Sequence, residues 1–85
     1  MDFNDTPEEG RFRKEASDWL AENAPTDDAF WALSPLEQAK VWQKRKYDAG
    51  WACIGWAPEF GGRGASAIEE VIWRQEESQY DLPAN

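Results

Sequence analysis

Histidine is missing from this 85-residue chain, and cysteine occurs once, as Cys53. Without imidazole there is no His base, no Ser-His-Asp or Cys-His arrangement and no His-containing zinc set, and a single thiol supplies neither a disulfide framework nor a Cys₄ cluster. Inside an apolar run, Cys53 reads as a small buried hydrophobe suited to a reducing cytoplasm. Positive charge is also scarce: nine Lys and Arg stand against seventeen Asp and Glu, for a net charge of −8. That balance works against phosphate backbones and anionic membranes, so no nucleic-acid partner is expected. The local exception, KVWQKRK at 40–46, reads as a solvated helix face whose cations complement the dipole at the helix C-terminus. No apolar stretch approaches 18 residues, and the acidic opening MDFNDTPEEG lacks the apolar core of a signal peptide. No membrane insertion is expected, and the location expected is cytoplasmic.

The carboxylates do not fill the catalytic gap. Glu69-Glu70 and Glu76-Glu77 are adjacent pairs, and neighbours on a helix point about 100° apart, so neither pair converges as an acid–base dyad. Asp27-Asp28 lacks the D-x-D-x-D-G pattern of a calcium loop. No catalytic, cofactor-binding or metal-ligating residue is expected. Aromatic surface, in contrast, is abundant: six Trp, four Phe and two Tyr. A chain this short makes one small domain, and this is more aromatic surface than a three-helix unit encloses. Part of it, with Trp51, Trp56 and Trp73 as candidates, is predicted to face something outside the chain.

Three helix starts share one punctuation. Thr6-Pro7-Glu8-Glu9, Ser34-Pro35-Leu36-Glu37 and Ser66-Ala67-Ile68-Glu69 each place a hydroxyl at the cap and a carboxylate three residues on. The two side chains satisfy orphan backbone N–H groups reciprocally, and proline at the first helical position costs no hydrogen bond. The pattern predicts an all-α unit of three helices. The first runs from about Pro7 to Asn23 with Phe12, Ala16, Trp19 and Leu20 as its apolar stripe, and Pro25 ends it. Residues 25–33 form a connection in which Phe30 and Trp31 tuck under a helix. The second spans about Pro35 to Ala49, with Leu36, Ala39, Trp42 and Tyr47 inward, Lys46 interrupting the stripe and Gly50 as the left-handed C-terminal residue. The third runs from Ala67 to about Tyr80, with Ile68, Val71, Ile72 and Gln75 inward and Trp73 on a flank.

Between the second and third helices lies the most informative segment, YDAGWACIGWAPEFGGRGAS at 47–66. Trp51 to Ala57 is an apolar run, either extended or a single turn. In the corner that follows, Pro58 sets the entry direction, and Gly61, Gly62 and Gly64 permit positive φ or close backbone approach. A phosphate cradle is not expected there, because no Lys-Ser/Thr follows the last glycine and no G-x-G-x-x-G follows a strand. The structural signature is therefore Trp42, Gly50, Trp51, Pro58, Glu59, Gly61, Gly62 and Gly64.

In order and spacing, five pieces resemble the N-terminal helical region of the acyl-CoA dehydrogenases: Met1 to Glu15, Trp19 to Pro25, Trp42 to Trp51, Pro58 to Gly64 and Ile68 to Glu77. Nearly the whole chain is covered. The resemblance implies part of a flavoprotein oxidoreductase that removes hydrogens from the α and β carbons of an acyl-CoA thioester. FAD would take the hydride and a carboxylate would act as base, both held by later domains. The partners implied are acyl-CoA, an electron acceptor and further subunits of a homo- or hetero-oligomer. On this reading residues 1–85 are part of the N-terminal α domain and are inactive alone. Lys46 and Ser78 depart from the family pattern, which leaves room for a steroid side chain or another unusual acyl group as substrate. The alternatives are a stand-alone, non-catalytic helical module docking onto a larger flavoprotein subunit, and an unrelated acidic three-helix adaptor.

Overall fold

The computed structural model describes residues 5–83, so the MDF opening of the family pattern at 1–3 lies outside the described residues. Within them the chain forms four α-helices and no strand: α1 Pro7–Asn23, α2 Asp28–Trp31, α3 Pro35–Asp48 and α4 Ala67–Glu77. The three expected caps are in place. The hydroxyls of Thr6, Ser34 and Ser66 accept from the N–H groups of Glu9, Glu37 and Glu69, and at Thr6 and Ser66 the glutamate returns the bond to close a capping box. Ala24, held extended before Pro25, ends α1. The fourth helix is the departure from the expected three. It forms inside the 25–33 connection because the Asp27 carboxylate accepts from Phe30 N–H and caps one turn.

The core gathers around indoles. Ala16 and Leu20 of α1, Phe30 of α2, Trp42 of α3, Trp51 and Ile54 of the joint, and Trp73 of α4 form one buried cluster. Trp19 lies among three others, its ring 5.5 Å from Trp42 and 6.1 Å from both Trp51 and Trp73, while Trp51 and Trp73 stack at 4.4 Å with 12° between their planes. Each enclosed indole removes about 200 Å² from water, on the order of 5 kcal/mol gross, so these rings outweigh any single ion pair in the domain. Trp51 and Trp73 are thus buried within the chain itself, against the expectation that they face outward; Trp56, 60% exposed, keeps to it.

The inward faces of α3 and α4 also differ from the apolar stripes. Leu36 and Tyr47 are exposed, whereas Lys46 is buried with its ammonium 5.7 Å from the Trp42 ring centre. On α4, Ile68, Val71 and Gln75 face solvent, while Ile72, Trp73 and Glu76 face the core. The stacking of Trp73 on Trp51 sets this rotation, and Glu76 is tolerated inside because Arg13 Nη1 donates to its Oε2 at 2.9 Å. The same guanidinium holds both oxygens of Asp5, at 2.7 and 3.2 Å, so one arginine ties the start of α1 to the side of α4. The helix ends at Glu77 instead of Tyr80, the next residues closing in tighter turns through Gln79 N–H to Glu76 C=O and Tyr80 N–H to Glu77 C=O.

Two outcomes follow. The hydrogen bond from Arg13, assisted by its charge and opposed by burial, holds the Asp5 carboxyl below its ordinary pKa. A depressed folded-state pKa adds stability above the unfolded-state value, about 3.9, and loses it as pH falls through the folded value. Asp5→Asn should therefore lower the urea midpoint at pH 5–8, and the difference from wild type should shrink steadily below about pH 4. Gly10, inside α1 with nothing within 4 Å of an added Cβ, should as Gly10→Ala gain about 0.5–1 kcal/mol in the same titration.

Candidate functional site

The residues singled out in the sequence converge on the joint between α3 and α4. Helix α3 stops because Gly50 adopts φ 82°, which lets Trp51 N–H reach back to Lys46 C=O at 2.7 Å and Gly50 N–H to Tyr47 C=O at 3.1 Å. This paired closure is the Schellman motif, and it turns Trp51 straight into the core. Residues 52–56 form turns, settling the open choice for the apolar run: Trp56 N–H closes on Cys53 C=O. Cys53 is half-buried instead of fully enclosed.

A single 3-10 turn, Pro58–Phe60, then leads into the glycine corner. Pro58 and Glu59 lie on its outside, exposed, and Gly61 and Gly64 take positive φ. Gly62 is needed for a different reason: a Cβ there would lie 2.0 Å from Trp56 O and 2.5 Å from Cys53 O. The corner folds flat onto the joint, and its N–H groups are spent in doing so. Gly62 N–H donates to Ala57 C=O, Arg63 and Ala65 N–H to Ile54 C=O, and Gly64 N–H to Trp56 C=O.

Arg63 is the residue that sequence reasoning missed. Its guanidinium lies 3.6 Å over the Trp51 ring, donates from Nε to Gly50 C=O and from Nη2 to Ala49 C=O at 3.0 Å each, and reaches Glu15 of α1 from Nη1 at 2.7 Å. The cation thus meets the carbonyl end of the α3 dipole and one indole face, while its outer nitrogen binds α1. The available signal was an arginine placed between two glycines. The Glu15 limb adds little because that carboxylate is half-exposed, so the two carbonyl bonds and the stack carry the contact.

Beside the joint, a cleft of about 320 Å³ opens between Lys46, Trp56, Glu70, Trp73, Arg74 and Glu77. Burial pushes the Glu77 carboxyl up, and the charges of Lys46 and Arg74 pull it back only in part. The nearest Lys46–Glu77 approach is 3.9 Å. Neither the cleft nor the corner fits the pyrophosphate of a flavin or nucleotide: the corner N–H groups already have acceptors, Glu69 occupies the α4 cap, and Glu70 and Glu77 turn carboxylates into the cleft. Among the described residues, no group of three or more His, Cys, Asp or Glu is placed to hold a metal ion, and no helix is long and apolar enough to cross a membrane.

The family profile described as "Acyl-CoA dehydrogenase, N-terminal domain" matches residues 6–85. The chain belongs to the acyl-CoA dehydrogenase family. Among curated relatives, it is 34% identical over 82 residues to acyl-CoA dehydrogenase IpdE1 of Mycobacterium tuberculosis, the match covering 85% of this chain and 21% of that protein. To the protein of the same name from Mycolicibacterium smegmatis it is also 34% identical over 82 residues, covering 85% and 20%. The chain therefore spans about a fifth of the length of these relatives. No solved structure gives a significant match.

In this acyl-CoA dehydrogenase domain the corner is structural, and its two critical positions should behave differently. Gly62→Ala has to displace backbone oxygens, so it should cost on the order of 4 kcal/mol, read as loss of the cooperative urea transition or a steep fall in its midpoint. Arg63→Lys keeps the charge but loses the planar stack and the forked bonds, and should cost about 2 kcal/mol with a red shift of indole emission.

Proposed function

We propose that the chain is the N-terminal part of an FAD-dependent acyl-CoA dehydrogenase that introduces a double bond between the α and β carbons of an acyl-CoA thioester, and that it is not catalytic alone. Residues 1–85 are on this reading part of the N-terminal α domain, in a cytoplasmic enzyme that also meets an electron acceptor and assembles as a homo- or hetero-oligomer. The observation that carries it is the continuous family match over 6–85, in relatives about five times as long. FAD would supply the hydride acceptor and would be held outside this chain, whose glycine corner has no N–H groups left for a pyrophosphate. What these residues contribute is shape: the Arg63 clamp fixes the angle between α3 and α4, and so the position of whatever packs on them.

The test compares the isolated chain with a chimera in which residues 1–85 replace the matched region of the Mycobacterium tuberculosis relative. With octanoyl-CoA, FAD and a dye acceptor, the chain alone should leave the dye oxidised, and the chimera should hold flavin and bleach the dye on adding an acyl-CoA it accepts. Dye reduction by the isolated chain would overturn the placement of the chemistry outside it.

A further inference from the structure

Two buried charges beside the joint approach each other without meeting. The Lys46 side chain is 9% exposed and that of Glu77 24%, yet Nζ and Oε2 stand 3.9 Å apart, beyond hydrogen-bond reach. Among the described residues neither head group has a hydrogen bond, and the Trp42 ring lies 5.7 Å from the ammonium. Elsewhere in the domain buried charge is closed directly, as where Arg13 donates to Glu76 at 2.9 Å. Here that closure is missing, and burial pushes the Glu77 carboxyl up. Buried polar groups without hydrogen bonds are costly and uncommon, so the gap has the character of a place for a third group.

The spacing and the charges of the gap select what fills it. One oxygen about 2.8 Å from both atoms would subtend an angle of about 90° between them, close to the geometry at a hydroxyl that accepts one hydrogen bond and donates another. It accepts from Nζ and donates to Oε2. A carboxylate would meet Glu77 and an ammonium would meet Lys46, like charge against like, so the fitting group is neutral. The rest of the cleft is balanced as well, since Glu70 and Arg74 line it with one charge of each sign. Its volume of about 320 Å³ suits a compact ligand, and its lining includes Trp56, 60% exposed. An exposed indole beside a polar pair takes a flat ring that carries the hydroxyl. We propose that the cleft formed by the end of α3, the joint and α4 binds a small neutral phenol, its hydroxyl bridging Lys46 Nζ and Glu77 Oε2 and its ring against Trp56. A phenolic hydroxyl is un-ionised at neutral pH, and its acidity makes it a stronger donor to a carboxylate than an alkyl alcohol. This site is independent of the activity proposed above.

Fluorine NMR of para-fluorophenol, titrated with the 85-residue chain at neutral pH, tests the site without flavin or acyl-CoA. The resonance should shift saturably with a Kd on the order of 1 mM, and the Trp56 indole N–H signal should move in a proton–nitrogen spectrum of the same samples. Para-fluoroanisole keeps the ring but cannot donate to Glu77, and should bind at least ~5-fold more weakly. Lys46→Met and Glu77→Leu should each weaken para-fluorophenol by a similar ~5-fold. Lys40→Met, at an exposed position outside the cleft, should leave its binding unchanged. If Lys46→Met lowers the urea midpoint, Glu77→Leu, near the more exposed end of α4, decides the outcome. Equal binding of the phenol and the anisole overturns the inference by reducing the site to a bare aromatic contact. No saturable shift, in a chain whose indole signals are dispersed, overturns it in favour of a bridging water. A chain without dispersed signals counts against it equally, since the cleft exists only while α4 packs on the joint. Weakened binding in Lys40→Met overturns it by placing the ligand on the outer face of α3.

Discussion

The contact between Arg63 and Trp51 is the constraint on which the rest of this domain depends. Trp51 enters the core only because α3 is broken sharply at Gly50, and a broken helix end leaves carbonyl groups pointing at nothing. The guanidinium answers both needs at once, covering the indole at 3.6 Å and taking the carbonyls of Ala49 and Gly50. It reaches that position only because the glycine corner folds flat on residues 53–56, with Gly62 in contact with backbone oxygen. Corner, clamp and indole form one unit, and α4 emerges from it in a fixed direction.

That direction determines which side of α4 faces inward. The ring of Trp73 stacks on the ring Arg63 covers from above, and Ile72 and Glu76 follow it into the interior. A small domain has little apolar volume to spare, and here it admits charge in compensation for geometry. Glu76 is neutralised by Arg13 and Lys46 lies over Trp42, each placed with a partner that lowers the cost of its burial. The price is an α4 whose Ile68 and Val71 remain on the outside.

In this member of the acyl-CoA dehydrogenase family the joint between α3 and α4 is a closed network. The domain's polar groups are turned on one another, in four side-chain caps, the Arg13 and Arg63 clusters and a corner whose N–H groups are spent internally.

Local chemistry made the three long helices legible, because a cap hydroxyl, an early proline and a left-handed glycine act within four residues of where they stand. The same locality explains the accuracy of Gly50 as a stop and of the α1 stripe, whose four residues all point at the core. The one-turn α2 escaped notice because a single Asp27 cap carries no periodicity. The inward faces of α3 and α4 were misjudged where a charged residue, Lys46 or Glu76, outranked an aliphatic neighbour. Such a reversal needs a partner from elsewhere in the chain: Arg13 lies 63 residues before Glu76, and Glu15 lies 48 before Arg63. The sequence by itself determined where the three long helices begin, where α1 and α3 stop and to which family the pattern belongs, since those follow from hydrogen bonds between near neighbours and from spacing. Which indoles are enclosed, which arginine clamps the joint and which side of α4 is left open were decided only by tertiary structure, because they depend on distances between residues remote along the chain.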